Sequence, residues 1–151
     1  MALSSALCTS FKVELLEGDH DFNNGADAFK VALFKANASI TGTYGAATTN
    51  YSQMTGDSDE LPNGSGYTTG GFALTNVNPT STSTTAFTDF SANASWSSAT
   101  FTTRGCMIYN TSDGNSAVAV INFGADYSVS GGTFEIQWPT ADSSNAIIHI
   151  A

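Results

Sequence analysis

The sequence is poor in charge, and above all in positive charge. Charged residues make up 11% of the 151 residues, against a usual share of about 25%. Four residues are basic and 13 are acidic, so the formal net charge is −9. Nucleic-acid binders use basic surfaces to displace the counterions of phosphates, so this balance argues against DNA or RNA as a partner. The same repulsion argues against an anionic membrane surface.

Long apolar runs are missing as well. No stretch reaches the roughly 18 apolar residues that indicate a transmembrane helix. The first residues, MALSSALCTSFKVELLEG, lack the basic start and apolar middle of a secretory signal, so we expect reduced thiols at Cys8 and Cys106. Cys106 lies in an apolar segment, which predicts that it packs as a small hydrophobic side chain. For the same reason we expect no glycan at the five Asn-x-Ser/Thr triplets, which begin at Asn37, Asn50, Asn63, Asn93 and Asn110.

Small polar residues replace the missing charges. The chain holds 19 Ser, 20 Thr, 12 Asn and 14 Gly. Thr suits strands, whereas Ser, Asn and Gly mark turns. The long side chains that favour helices are scarce. This composition predicts a mainly β protein.

The clearest local pattern is RGCMIYNTSDGNSAVAVINFG, residues 104–124. Two apolar runs flank Asp113-Gly114, and Asp-Gly between apolar runs predicts a β-hairpin. Further strands are predicted at residues 28–35, 70–77, 84–90, 95–110, 117–124, 132–139 and 146–150, with turns that include Gly131-Gly132. Within FEIQW, the alternation predicts that Phe134, Ile136 and Trp138 share one buried face while Glu135 and Gln137 face solvent.

These segments predict one all-β domain over residues 1–151, an antiparallel β-sandwich of jelly-roll-like type. One short N-terminal helix is predicted over residues 10–17, with Ser10 as its cap and Gly18 as its stop. Residues 1–9 are a candidate flexible arm. Residues 36–66 form a long polar loop region, which holds either short strands around Tyr44 and Tyr51 or an arm that orders on a partner.

Asp19-His20-Asp21 is the first cluster with reactive side chains. A histidine between carboxylates can act as a general base or a metal ligand. Adjacent side chains point apart in an extended chain, however, and the other histidine, His149, lies in the last strand. We therefore interpret the cluster as a solvated turn.

A second acidic group, Asp57, Asp59 and Glu60 in TGDSDELPNGSG, offers oxygen ligands for a hard cation. Its spacing begins like an EF-hand loop but lacks the third ligand, the central Gly and the closing Glu, so a solvated loop is the preferred interpretation.

Arg104 is the single arginine and lies between apolar segments. We expect it to form an ion pair within the domain, with Asp89 or Asp126, rather than a contact across a subunit interface.

Four aromatic residues offer a surface on which a sugar could stack: Tyr67, Trp96, Tyr127 and Trp138. Core packing is the commoner fate of such residues, and we prefer it. No G-x-S-x-G elbow, phosphate loop or dinucleotide fingerprint occurs. We accordingly expect that the protein is not an enzyme and that it has no catalytic residue, no cofactor and no bound metal.

Several segments resemble small virion proteins of tailed bacteriophages. They are SFKVELLEGDHDF, FKVALF, GYTTGGFAL, FTDFSANASWSSATFTTRGCMIYN, AVAVINFG and AIIHI. The resemblance covers most of the chain from about residue 10 and is weaker between about residues 40 and 65. The GYTTGG and WSSATFTTRGCMIYN blocks contribute most to the resemblance. Family members with a suggested role are similar to capsid cement or decoration proteins with a sandwich or jelly-roll fold.

The resemblance implies a structural protein of the virion surface, assembled in the host cytoplasm. Its implied partners are the major capsid protein and further copies of itself, commonly as a homotrimer. We expect residues 1–25 and 36–66 to supply the contacts, because these segments are least needed for the sandwich. Two alternatives remain open: a tail- or fibre-associated adhesin that binds host glycans, and a glycan hydrolase with two facing carboxylates.

Overall fold

The computed structural model describes residues 2–151. Strands contain 45% of the residues and helices 12%, so the prediction of a mainly β, largely antiparallel protein with a short N-terminal helix is confirmed. The elements in chain order are β1 (Ala2–Leu3), β2 (Ala6–Leu7), α1 (Thr9–Glu17), β3 (Phe29–Leu33), a 3-10 turn (Asn37–Ser39), β4 (Thr43–Tyr44), α2 (Tyr51–Gly56), β5 (Phe72–Ala73), β6 (Thr80–Thr82), β7 (Thr85–Thr88), β8 (Ala94–Asn110), β9 (Ser116–Ile136) and β10 (Ile148–Ile150).

Helix α1 ends as its sequence predicts but begins differently. Gly18 closes it in the left-handed conformation, at φ 89°, which glycine adopts without steric cost. The N-cap is Cys8 rather than Ser10, and Cys8 makes no side-chain capping bond. The start is fixed instead by the backbone, because the Cys8 N–H donates to the Val118 carbonyl of β9 at 2.9 Å. Phe11, 1% exposed, anchors the helix in the core.

The main sheet has the strand order β2-β9-β8-β3-β5, and all of its pairings are antiparallel. Strands β8 and β9 form the predicted hairpin around Asp113-Gly114. Gly114 and Asn115 both have positive φ, 53° and 66°, as tight hairpin turns require. The side-chain oxygen of Asn110 accepts the backbone N–H groups of Ser112 and Asp113 and so closes the turn.

The prediction of separate strands at 117–124 and 132–139 is wrong, because β9 runs without interruption from Ser116 to Ile136. Its glycines produce kinks instead of a turn. Thr103 pairs with Tyr127 and Gly105 with Asn122, so residues 123–126 of β9 bulge opposite a single residue of β8. We call this bulge the corner.

The kinks fold the hairpin back on itself. In a straight strand, 11 residues span about 36 Å. Phe123 and Phe134 are separated by that number of positions, yet their ring centroids lie 6.3 Å apart. A further irregularity, with Gly131 at φ 65° and Ser98 at φ 51°, completes the bend. The far half of the hairpin therefore faces the near half.

Two smaller sheets complete the fold. Strands β10, β7 and β6 form an antiparallel sheet in that order. Strand β1 pairs in parallel with β4, and β2 pairs with β9, so residues 2–3 and 6–7 of the candidate arm 1–9 are built into sheets.

The segment 36–66 packs against the core rather than extending as a polar arm. Ile40, Tyr44, Met54 and Leu61 are at most 6% exposed and belong to the core cluster. The strand expected at Tyr44 is present as β4, but Tyr51 begins a helix. Asn50 caps that helix in a capping box with Gln53, a sequence signal that the strand prediction overlooked. No helix in residues 2–151 has the length and apolar character needed to span a membrane.

We predict that Gly105→Ala lowers the free energy of unfolding by about 2–3 kcal/mol, because its Cβ overpacks the corner. That Cβ would collide with the Ile121 carbonyl oxygen and approach Leu3 Cδ2 to 2.7 Å. Urea denaturation measures the effect. Gly56→Ala is the matched control, since its Cβ meets no atom within 4 Å of its position at the end of α2. The control should leave the free energy of unfolding unchanged or raise it by up to about 1 kcal/mol. Equal losses of unfolding free energy in both variants would contradict the prediction.

Candidate functional site

His20 is buried and fully hydrogen-bonded. It is 7% exposed, and its Nε2 lies 3.0 Å from Glu14 Oε2. Its Nδ1 lies 2.9 Å from the side-chain nitrogen of Asn110. The same amide nitrogen donates to Asp27 Oδ2 at 2.8 Å, which fixes the orientation of the amide. His20 therefore accepts at Nδ1 and donates from Nε2, and it ties α1 to the hairpin turn.

The interpretation of Asp19-His20-Asp21 as a solvated turn is thus wrong for His20, while Asp19 and Asp21 are exposed as expected. Since the single tautomer of His20 satisfies both ring nitrogens, the imidazole serves as a structural link in this arrangement. His149 is exposed in β10, with its Nδ1 3.1 Å from the Ala146 carbonyl.

Glu14, His20 and Asp113 carry potential ligand atoms within 4.8 Å of one another. A metal on His20 Nε2 normally requires a proton on Nδ1 that is donated to an acceptor. Here Nδ1 faces the amide donor of Asn110 instead. The donor set does not suit a metal, so we assign none.

Asp59 is completely buried, contrary to the interpretation of its segment as a solvated loop. Its carboxylate accepts the backbone N–H groups of Thr41 and Gly42, at 2.8 and 2.7 Å, and the hydroxyl of Tyr44 at 2.8 Å. Burial alone would raise the pKa of Asp59, but these hydrogen bonds outweigh burial and lower the pKa below its usual value. Asp57 is exposed and lies 2.9 Å from the same Tyr44 hydroxyl.

Glu60 is the second buried carboxylate, 6% exposed. It accepts the hydroxyls of Tyr51 and Tyr67 and the backbone N–H of Gly70. Burial, together with this carboxylate, raises the pKa of both tyrosines. Tyr51 also stacks on Tyr109 of β8, with ring centroids 4.3 Å apart. Asp59 and Glu60 thus cross-link residues 36–70 to one another, and Tyr67, which donates to Glu60, joins the segment to β3 by accepting the Leu33 N–H at 3.1 Å.

Arg104 forms the ion pair expected within the domain, with Asp126. Its Nη1 lies 3.8 Å from Asp126 Oδ1, and its Nε donates to Asn122 Oδ1 at 3.0 Å. The other candidate, Asp89, is 1% exposed and accepts the backbone N–H groups of Phe90 and Ile147. Burial raises the pKa of Asp89, and the two hydrogen bonds offset part of that rise.

Both cysteines are buried and free, which confirms the prediction that Cys106 packs as a hydrophobic side chain. Burial raises the pKa of Cys8 to about 11 and that of Cys106 further. Neither thiol is an activated nucleophile.

The four candidate sugar-stacking residues separate into two pairs. Tyr67 and Trp96 are 2% and 6% exposed and belong to the core, as the preferred interpretation expected. Tyr127 is 52% exposed, and Trp138 is half-buried. These two both line a surface groove of about 390 Å³.

This apolar groove occupies the inside of the corner. Ile121 lies before the bulge and Phe123 at its first position, whereas Phe134 and Ile136 lie after it. The indole N–H of Trp138 donates to the Ala92 carbonyl at 3.0 Å, which fixes the ring at the edge of the groove. The full lining is Ile121, Phe123, Tyr127, Phe134, Glu135, Ile136, Gln137, Trp138, Pro139 and Ile147.

The sequence pattern identified one wall of the groove and missed the other. The predicted alternation is correct, since Phe134, Ile136 and Trp138 are half-buried while Glu135 and Gln137 are exposed. The second wall depends on the corner. The sequence indicates the corner only through Gly124, because an isolated glycine inside an apolar strand commonly marks a bulge.

The groove is chemically suited to binding. Glu135 is the one charged residue among the described residues that line it. Half-buried aromatic rings with a polar rim are typical of the centre of a protein interface. The groove is therefore the candidate functional site.

We predict that Asp59→Asn lowers the free energy of unfolding at pH 7 by about 3 kcal/mol, because hydrogen bonds to a buried charge are lost. Since the pKa of Asp59 is lowered on folding, its contribution is present above the unfolded-state pKa of about 3.9 and is lost as pH falls through the folded-state pKa. Wild-type stability, measured by urea denaturation, should therefore approach that of the variant in acid.

Asp19→Asn is the control for this prediction, because Asp19 is exposed. It should change stability by less than about 0.5 kcal/mol at pH 7. A difference between wild type and Asp59→Asn that stays constant down to pH 2 would contradict the assignment.

Comparison of this chain with protein-family models, with curated protein sequences and with solved structures finds no match. The geometry of the groove remains the basis for a functional proposal.

Proposed function

We propose that this protein is a structural component of a bacteriophage virion, of the capsid cement or decoration type. It acts by binding rather than by catalysis, and its partners are the major capsid protein and further copies of itself. The observation that carries the proposal is the apolar groove at the corner. The resemblance of the sequence segments to small phage virion proteins supports the same assignment.

The groove favours a macromolecular partner because it exposes aromatic surface at a fixed geometry. Phe123 and Tyr127 meet edge to face, with centroids 6.0 Å apart, and Trp138 packs on Phe90 at 5.5 Å. Rings held in this way lose little conformational freedom on binding. Many copies on one shell gain further from multivalency, so each contact can be weak.

The fold provides a stiff body for such a role. Asp59 and Glu60 accept hydrogen bonds from several turns within residues 36–70 and so hold that segment together. The Leu33 N–H donates to the Tyr67 hydroxyl and the Tyr109 hydroxyl donates to the Gly70 carbonyl, which joins the segment to β3 and β8. As part of the proposal, we place the sheets in a sandwich of jelly-roll-like type, in which the bent hairpin contributes to both layers. Bulges at strand corners are a common way to change layers.

A glycan-binding adhesin is the second candidate. Exposed Tyr127 and the fixed indole of Trp138 favour it, because aromatic faces stack on sugar rings. The amide of Gln137, which donates to Glu135 at 2.9 Å, would supply a polar contact at the rim.

The proposal predicts that the purified protein sediments with phage heads assembled without it and raises the temperature at which those heads release DNA. Tyr127→Asp places a carboxylate in the groove and should weaken head binding about ten-fold or more, since an unpaired charge would be desolvated. Ile150→Asp is the matched control, with 58% exposure against 52% for Tyr127, and it lies outside the groove.

Failure of the wild-type protein to bind or stabilise heads would overturn the capsid assignment. Binding to host glycans that Tyr127→Asp abolishes, with no effect on heads, would support the adhesin instead. Equal loss of head binding in the two variants would show that the groove is not the surface that binds the capsid.

A further inference from the structure

The outer face of helix α1 carries exposed apolar side chains. Leu16 is 89% exposed and Val13 51% exposed, while Phe11 and Leu15 turn toward the core. Val13 and Leu16 are three positions apart and therefore neighbours on one helix face. Helix α1 thus presents a small apolar ridge to solvent.

A cation flanks this ridge. Lys12 is exposed and lies four positions before Leu16, so the two side chains project from the same side of α1. It is one of four basic residues in a chain of net charge −9. Glu17, four positions after Val13, lies on the opposite edge of the ridge, so the Lys12 edge is the one that can face an anion.

The groove offers the complementary features. Its lining is apolar except at the rim, where Glu135 carries the one charge among the described lining residues. Glu135 Oε1 accepts from Asn93 at 3.2 Å and from Gln137 at 2.9 Å, which holds the carboxylate in place. Its Oε2 receives no hydrogen bond from residues 2–151, so it can accept one from a partner.

We propose that the groove receives the α1 ridge of a second copy of this chain, with Leu16 between the aromatic walls and the Lys12 ammonium against Glu135 Oε2. This assignment rests on the proposed function and names the occupant of its site. Ridge and groove are different surfaces, so the contact is heterologous and joins copies head to tail into a closed ring or an open chain.

Charge complementarity argues for this orientation. Copies with a net charge of −9 repel one another over most of their surfaces. The Lys12–Glu135 pair is a local attraction that fixes the register, whereas apolar burial of Leu16 provides the affinity. Added salt screens the general repulsion more than the buried contact, so association should not weaken sharply at physiological ionic strength.

Sedimentation velocity of the full chain over a concentration series tests the contact. We expect concentration-dependent oligomers, and Leu16→Asp should raise the dissociation constant about ten-fold or more through loss of the buried side chain. Ile150→Asp is the control and should associate as wild type, since it places the same charge at an exposed apolar site that does not line the groove and lies near Leu15, on the core-facing side of α1, rather than on the ridge. A wild-type protein that stays monomeric at all concentrations would overturn the proposal, as would equal effects of the two variants.

A charge exchange tests the pairing itself. Lys12→Glu and Glu135→Lys should each raise the dissociation constant about three- to ten-fold, and the double variant should return to within about two-fold of wild type. Circular dichroism confirms that each variant is folded. A double variant as weak as the sum of the single variants would rule out contact between Lys12 and Glu135.

The outcomes separate this inference from the proposed function. Wild-type protein that binds heads yet remains monomeric alone would overturn the self-association and leave the capsid role standing. Oligomers that depend on Leu16 but do not bind heads would overturn the capsid role and leave the self-association standing.

Discussion

The corner in the β8–β9 hairpin is the constraint on which the other features of this protein depend. It needs a backbone that can bulge at residues 123–126 and a residue without a side chain, Gly105, beside the bulge, where it pairs with Asn122. Ile121 O and Leu3 occupy the space that a Cβ at that position would take. Because the strand bends there, residues that are far apart along β9 face one another across the groove. Without the bend, Phe123 and Phe134 would lie on a long flat ribbon and would expose far more apolar surface.

The buried carboxylates solve a second problem that follows from the composition. Residues 36–70 of this Ser-, Thr- and Asn-rich chain contain little regular secondary structure, so their turns need support beyond helix and strand hydrogen bonds. Asp59 and Glu60 compensate by gathering backbone and tyrosine donors from both ends of the segment. Burying a carboxylate is costly unless its oxygens are satisfied. Here backbone N–H groups and hydroxyls supply that compensation.

Periodicity and turn chemistry predicted much of this structure. The Asp113-Gly114 hairpin, helix α1 and the two faces of FEIQW all follow from local patterns. Features that depend on distant contacts did not follow. The burial of His20 requires Asn110, which is 90 positions away, and the burial of Asp59 requires the turn at Thr41. In both cases the sequence predicted a solvated stretch, because the residues that donate hydrogen bonds to it lie elsewhere in the sequence.

The position of the groove also links binding to stability. A ligand that occupies only the folded state stabilises it by mass action. Whatever fills the groove must contact both walls, Ile121 and Phe123 on one side and Phe134 and Ile136 on the other. It therefore holds closed the bend that glycine and a bulge make possible, and the corner should resist opening more strongly in an assembly than in an isolated copy. For a protein whose proposed role is to strengthen a shell, the surface that binds and the bend that most needs support are then the same part of the molecule.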